Sequence, residues 1–162
     1  MSLERKLRIL IIDDQAKDSS VCESKGYDQI EQWFPGVFDV DRSRTFNDAS
    51  FDDIAAEAAI IKICETKYDL ILLDYNFSDV IPLSDWAPDV LRYIREDDLE
   101  NLKEYVEGLE QGNLNQDTYI IGVSTSWNNQ NGGLLNGYTG QGRTNPEGLK
   151  EEIKNYMSSR NL

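Results

Sequence analysis

Three aspartates carry the chemistry that this sequence makes available. Asp13 and Asp14 follow the apolar run Leu7–Ile12, Leu-Arg-Ile-Leu-Ile-Ile, and Asp74 follows Asp69–Leu73, Asp-Leu-Ile-Leu-Leu. Carboxylates gathered in one crevice repel one another, and a cation must offset that repulsion. Hard carboxylate oxygens suit Mg²⁺, which keeps several waters and binds phosphate oxygens readily. A metal-bound carboxylate beside a phosphate-binding crevice can act as a nucleophile toward a phosphoryl group, with charge offset and positioning supplying the catalysis. Ser124, in the Ser124-Thr125-Ser126 run that follows Tyr119–Val123, can hydrogen-bond a phosphate oxygen on Asp74. A hydroxyl that moves to meet a newly added dianion is a switch.

Those acids converge only if the elements carrying them lie side by side. Leu7–Ile12, Asp69–Leu73 and Tyr119–Val123 are short, nearly continuous apolar runs, as expected of strands buried on both faces of a parallel sheet. A weaker strand is predicted over Val37–Val40, after Pro35-Gly36, and a fifth over Gly137–Gln141, where glycines weaken the pattern. Helices are predicted between them. Asp52–Thr66 carries Ile54, Ala58, Ile61 and Cys64 at helical spacing. Val90, Leu91 and Ile94 form a stripe after Pro88, which suits a first turn. The last helix has Asn145 as N-cap and Pro146 at its first position, with Leu149, Ile153 and Tyr156 or Met157 on one face. The alternation predicts an α/β fold, a five-stranded parallel doubly wound sheet of flavodoxin-like topology. Ligand sites in such sheets lie at the carboxyl ends of the strands, near the switch in strand order. The acidic stretch Glu96–Asp117 exceeds the minimal pattern. Leu99, Leu102, Val106 and Leu109 predict a helix there, ended by Gly108 or Gly112, which is either a solvated decoration or a docking element for a partner.

Composition narrows the function. The chain has 162 residues, enough for one domain, and a net charge of −14. That charge repels nucleic acid and anionic lipid; it serves solubility or a basic protein partner. No apolar run approaches the roughly 20 residues of a membrane helix, and the charged N-terminus is unlike a signal peptide, so the expected location is the cytoplasm. Cys22 and Cys64 have no metal-ligating spacing and are expected as buried thiols. Histidine is absent, which excludes Ser–His or Cys–His catalysis and His-rich metal centres. The chain also cannot be the histidine-bearing side of a phosphotransfer pair.

Taken together, Ile11-Ile12-Asp13-Asp14, Tyr68-Asp69-Leu70-Ile71-Leu72-Leu73-Asp74 and Ile120-Ile121-Gly122-Val123-Ser124 resemble the receiver domains of two-component response regulators. Asp85–Glu96 looks like that family's third helix. The resemblance spans residues 1–162 as a single receiver, apart from an insertion at about 96–117. It implies that Asp74 is the phosphoacceptor and that Asp14 and Asp74 ligate Mg²⁺ (or Mn²⁺), with Asp13 assisting through water and Asn76 through its carbonyl. It also implies that Ser124 is the switch hydroxyl. The donor would be a phosphohistidine on a sensor histidine kinase or phosphorelay protein, and the output a contact with another protein, with no nucleic acid or membrane bound. Nothing after the last helix suggests an output domain, so the expectation is a stand-alone receiver.

Three departures accompany the resemblance. The family's lysine at the end of strand five pairs with the phosphate; here Arg143 is the best-placed cation, with Lys17 as the alternative, and an arginine fork differs in reach and geometry. Ser78 stands where the family has proline. The switch aromatic of strand five has only Tyr138 as a counterpart. A receiver-like interaction module that is never phosphorylated is the alternative function. Enzymes on similar sheets fit poorly: haloacid-dehalogenase-type phosphatases need Asp-x-Asp after the first strand, and flavodoxins need a Ser/Thr-rich loop there, where this chain has Asp13-Asp14-Gln15-Ala16-Lys17-Asp18.

Overall fold

Leu7–Ile12 forms β1, and every residue in it except Arg8 is buried. In the computed structural model, which describes residues 5–13, 25–42, 53–74, 86–98, 100, 113–123, 127, 134–139 and 146–162, this strand lies between β2 (Phe38–Arg42) and β3 (Leu70–Leu73) in the sheet. The other strands are β4 (Tyr119–Gly122) and β5 (Gly137–Tyr138). All pairings are parallel, in the order β2-β1-β3-β4-β5. The sequence-predicted α/β class and five-stranded parallel sheet are therefore what is observed. The order reverses between β1 and β3, which makes the C-terminal ends of those two strands the sheet's natural crevice.

Helices cover the faces. A 3-10 turn at Tyr27–Gln29 runs into α1 (Ile30–Trp33), followed by α2 (Asp53–Glu65), α3 (Trp86–Glu96) and α4 (Glu147–Ser159). Burial on both sides explains why β3 is an unbroken apolar run, all four residues buried. Val90, Leu91 and Ile94 of α3 and Leu149, Ile153 and Tyr156 of α4 are buried, on the faces that their spacing indicates.

Several boundaries and one helix face differ from the sequence expectation. Among the side chains described in α2, from Ala59 onward, Ala59, Ile60 and Ile63 are buried, while Ile61 is 39% exposed; Ile54 and Ala58 lie outside them. The run Ala-Ala-Ile-Ile-Lys-Ile-Cys is apolar on most sides, so periodicity selects no single face. The last helix is capped by Pro146 and begins at Glu147, one residue later than predicted. The fifth strand is only Gly137–Tyr138, with Thr139 N–H still donating to the Gly122 carbonyl at 2.8 Å. The described ends of the acidic insertion are not helical: α3 stops at Glu96, Asp97 has φ 57°, and residues 114–117 form turns. The helix expected over Leu99–Leu109 lies outside the described residues.

Asparagines pin the return of that insertion. Buried Asn115 accepts from Tyr68 N–H at 2.8 Å and donates to the Ile63 and Thr66 carbonyls at 2.6 and 2.8 Å. Its side chain thus caps the C-terminus of α2, whose last carbonyls lack helical partners. Asn113 donates to the Tyr93 and Ile94 carbonyls near the end of α3. At the N-terminal end of the strands, Asp69 is gripped by Arg5 at 2.9 Å, the Arg8 N–H at 2.8 Å and Arg160 at 3.2 Å. Burial raises the Asp69 pKa, but these donors more than reverse it and hold the carboxyl below its ordinary range. Cys64, expected as a buried thiol, is free but only half-buried, against the Tyr93 hydroxyl, and burial pushes its thiol pKa up. Cys22 lies outside the described residues.

Candidate functional site

Asp13 follows β1 directly and Asp74 follows β3 directly, so each acid sits on a strand end held by the sheet. The ladder continues one step beyond the strands at this end. Asp74 N–H donates to the Ile12 carbonyl at 2.9 Å, and Val123 N–H to the Leu73 carbonyl at 2.9 Å. The carboxylates are therefore carried by rigid backbone rather than by a free loop. Asp13 is fully buried and Asp74 is 3% exposed.

Burying two carboxylates side by side requires compensation. Lys25 supplies it. Its ammonium stands 2.6 Å from Asp13 Oδ2 and 3.2 Å from Asp74 Oδ1, bridging the two strand ends. Burial lowers the Lys25 pKa, but the charges of Asp13 and then Asp74 more than offset this, and the net shift is upward. The buried Tyr27 hydroxyl donates to the same Asp13 oxygen at 2.8 Å. A lysine and a tyrosine two residues apart thus fix one rotamer of Asp13.

Gly26 makes this geometry possible. Its φ is 94°, and a Cβ there would lie 2.6 Å from Trp33 Cη2 and 2.7 Å from Pro146 Cβ. Any side chain would push the segment off α1 and off the entrance to α4. On the other flank, the Trp127 indole N–H donates to the Leu73 carbonyl at 2.9 Å, one residue before Asp74. The Trp127 ring lies flush on Gly122, where a Cβ would approach Cδ1 to 2.5 Å. The glycine in Tyr-Ile-Ile-Gly-Val is there to admit the indole.

Of the residues expected from the sequence, the fold brings together Asp13 and Asp74. Asp14, Asn76, Ser124, Arg143, Lys17 and Ser78 lie outside the described residues. Tyr138 is on β5 and half-buried. Lys25, Tyr27 and Trp127 were not anticipated. The Lys25-Gly26 pair marks a turn in sequence, but nothing local connects it to an acid on another strand.

The acids fit a hard divalent cation. Carboxylate oxygens are the hard donors that Mg²⁺ takes, and two carboxylates are buried together here. Among the described residues no group of three His, Cys, Asp or Glu side chains is placed to hold a metal ion; Asp14 and Asn76, the other donors expected from the sequence, lie outside them.

The fold has counterparts among solved structures. A response-regulator receiver domain protein from Methanospirillum hungatei is 18% identical, with 96% of this chain and 97% of that one covered, at a TM-score of 0.50. The receiver domain of a Francisella response regulator is 14% identical, covering 96% and 99% of the two chains, at a TM-score of 0.54. The chain has the fold of a response-regulator receiver domain. A chemotaxis response regulator of Vibrio cholerae shares the receiver fold at 14% identity and a TM-score of 0.50, over 93% of this chain and 98% of that one. No protein-family model and no curated protein matches the sequence. In the receiver fold seen here, no helix among the described residues is long and apolar enough to cross a membrane.

Proposed function

We propose that this chain is a cytoplasmic response-regulator receiver that takes a phosphoryl group on Asp74 from a phosphohistidine of a sensor kinase or relay protein and signals by protein contact. The observation that carries this reading is the buried pair Asp13 and Asp74, set at the C-terminal ends of β1 and β3 and already sharing one cation. Buried acids at a switch point are costly, and a fold keeps them where ionised carboxylate is used.

In this reading Asp13, Asp14, Asp74 and the Asn76 carbonyl hold Mg²⁺ or Mn²⁺. The ion, when bound, offsets negative charge on the phosphoryl oxygens. The rest is done by the chain. An Asp74 carboxylate oxygen attacks phosphorus, a P–O bond forms and the donor's P–N bond breaks. The electron pair of that bond leaves with the imidazole, which ends neutral if it entered protonated. The hydrogen-bonded strand ends keep the nucleophile in line, and the Ser124 hydroxyl is the group that meets the new dianion.

The test is intact mass after incubation with acetyl phosphate and Mg²⁺. One added phosphoryl group, absent in Asp74→Asn and lost slowly on standing, is expected. Failure of the parent to gain it, with Mg²⁺ binding retained, would leave an interaction module in its place.

A further inference from the structure

Neither cation expected to read a phosphate on Asp74, Arg143 or Lys17, is within the described residues, yet an ammonium already stands at that carboxylate. Lys25 Nζ lies 3.2 Å from Asp74 Oδ1 and 2.6 Å from Asp13 Oδ2, on a side chain 18% exposed. Its position is set by the backbone on its C-terminal side. Gly26 packs against Pro146, at the entrance to α4, and against Trp33. Tyr27 is buried and bonded to Asp13. The segment that carries Lys25 comes from the connection after β1, and Gly26 in it lies against Pro146 at the start of α4.

We propose that Lys25 is the residue that pairs with the phosphoryl group on Asp74, delivered from the β1–α1 connection rather than from strand five. This rests on Asp74 being the phosphoacceptor. Phosphorylation turns the Asp74 carboxylate into the uncharged carbonyl of an acyl phosphate with a dianion beyond it. The negative charge that Lys25 faces therefore moves outward along the same line. A lysine suits that shift, because its ammonium is compact, its three N–H donors rotate and its stem is flexible. Asp13 keeps the ammonium in place before and after. The Lys25 side chain is 18% exposed, against 0% for Asp13 and 5% for Asp74, so it is the least enclosed of the three groups.

Beryllofluoride with Mg²⁺ is the probe, with affinity measured on the parent, Asp74→Asn, Lys25→Met and Lys25→Arg, each checked for fold by circular dichroism. The parent is expected to bind and Asp74→Asn not to bind. Lys25→Met should lose about 10- to 100-fold in beryllofluoride affinity, the worth of one charge-assisted hydrogen bond. Lys25→Arg should retain part of it. Mg²⁺ affinity without fluoride should be unchanged or higher in Lys25→Met, since a competing cation has gone. Parent-like beryllofluoride affinity in Lys25→Met overturns the proposal while leaving Asp74 as acceptor. No binding by the parent overturns the acceptor reading and this one with it. Should Lys25→Met not fold, the parent labelled with ¹⁵N-lysine decides: the Nζ resonance that is missing in Lys25→Arg must shift on adding beryllofluoride, and an unmoved resonance refutes the pairing.

Discussion

Replacing Asn115 with alanine tests whether the acidic insertion is anchored to the sheet as the hydrogen bonds indicate. Asn115 is fully buried. Its Oδ1 accepts from the Tyr68 N–H that leads into β3, at 2.8 Å, and from Thr118 Oγ1 at 2.9 Å. Its Nδ2 donates to the Ile63 carbonyl at 2.6 Å and the Thr66 carbonyl at 2.8 Å. Alanine leaves Tyr68 N–H and the Ile63 carbonyl without this partner in a buried setting, at about 1–3 kcal/mol each. The Thr66 carbonyl is nearer solvent and adds less. The expected loss is roughly 3–5 kcal/mol, a large part of the 5–15 kcal/mol typical of a domain. With a urea slope of about 1–3 kcal/mol per M, the midpoint should fall by roughly 2 M in equilibrium unfolding followed by circular dichroism. Asn115→Asp keeps the acceptor but sets an anionic oxygen against two carbonyls, so at pH 7 it should be at least as unstable as the alanine variant. A loss below about 1 kcal/mol for Asn115→Ala, at unchanged slope, would refute the anchoring argument.

Gly122→Ala should force the Trp127 ring off β4, costing about 1–3 kcal/mol and changing the tryptophan emission; an unaltered spectrum and midpoint would contradict the packing. Tyr27→Phe removes one donor to buried Asp13 and should cost about 1.5–3 kcal/mol, with the loss abolished in an Asp13→Ala background; an equal cost in both backgrounds would show that the hydroxyl acts elsewhere. Asp69 has a depressed pKa in the fold, so its stabilisation is present above the unfolded carboxyl pKa of about 3.9 and is lost as pH falls through the lower folded value. Urea midpoints of the parent and Asp69→Asn should therefore differ at pH 6 and converge below about pH 4; a constant gap would rule out the ion pairs with Arg5 and Arg160 as its source.

Much of this fold is legible in a single pass along the chain because its signals are local. Ile9, Leu10, Ile11 and Ile12 are β-branched or apolar without a break, which only a strand covered on both faces requires, and each is fully buried. Where the local signal is degenerate the reading slipped. Ile61 in α2 belongs to a run that is apolar on most sides, and it is exposed. The fifth strand carries glycines and shrank to two residues. Gly137 in it faces Glu152 of α4, whose carboxylate would lie 2.3 Å from a Cβ, so the residue that blurs the strand signal answers to a helix far along the chain.

Asp13 and Asp74 were determined by the sequence alone, because a polar residue that ends a buried run is placed at a strand end wherever the strand lies. That the two ends are neighbours, with β1 beside β3, follows from the alternation of strand and helix. The cation between them was decided only by tertiary structure. Lys25 is helical and precedes the Gly26 turn, and no spacing in its own segment points to an acid on another strand. It reaches both acids because Gly26 fits between Trp33 and Pro146 and Tyr27 inserts beside Asp13. Those contacts join residues far apart in the chain, and no rule of spacing within one element can express them.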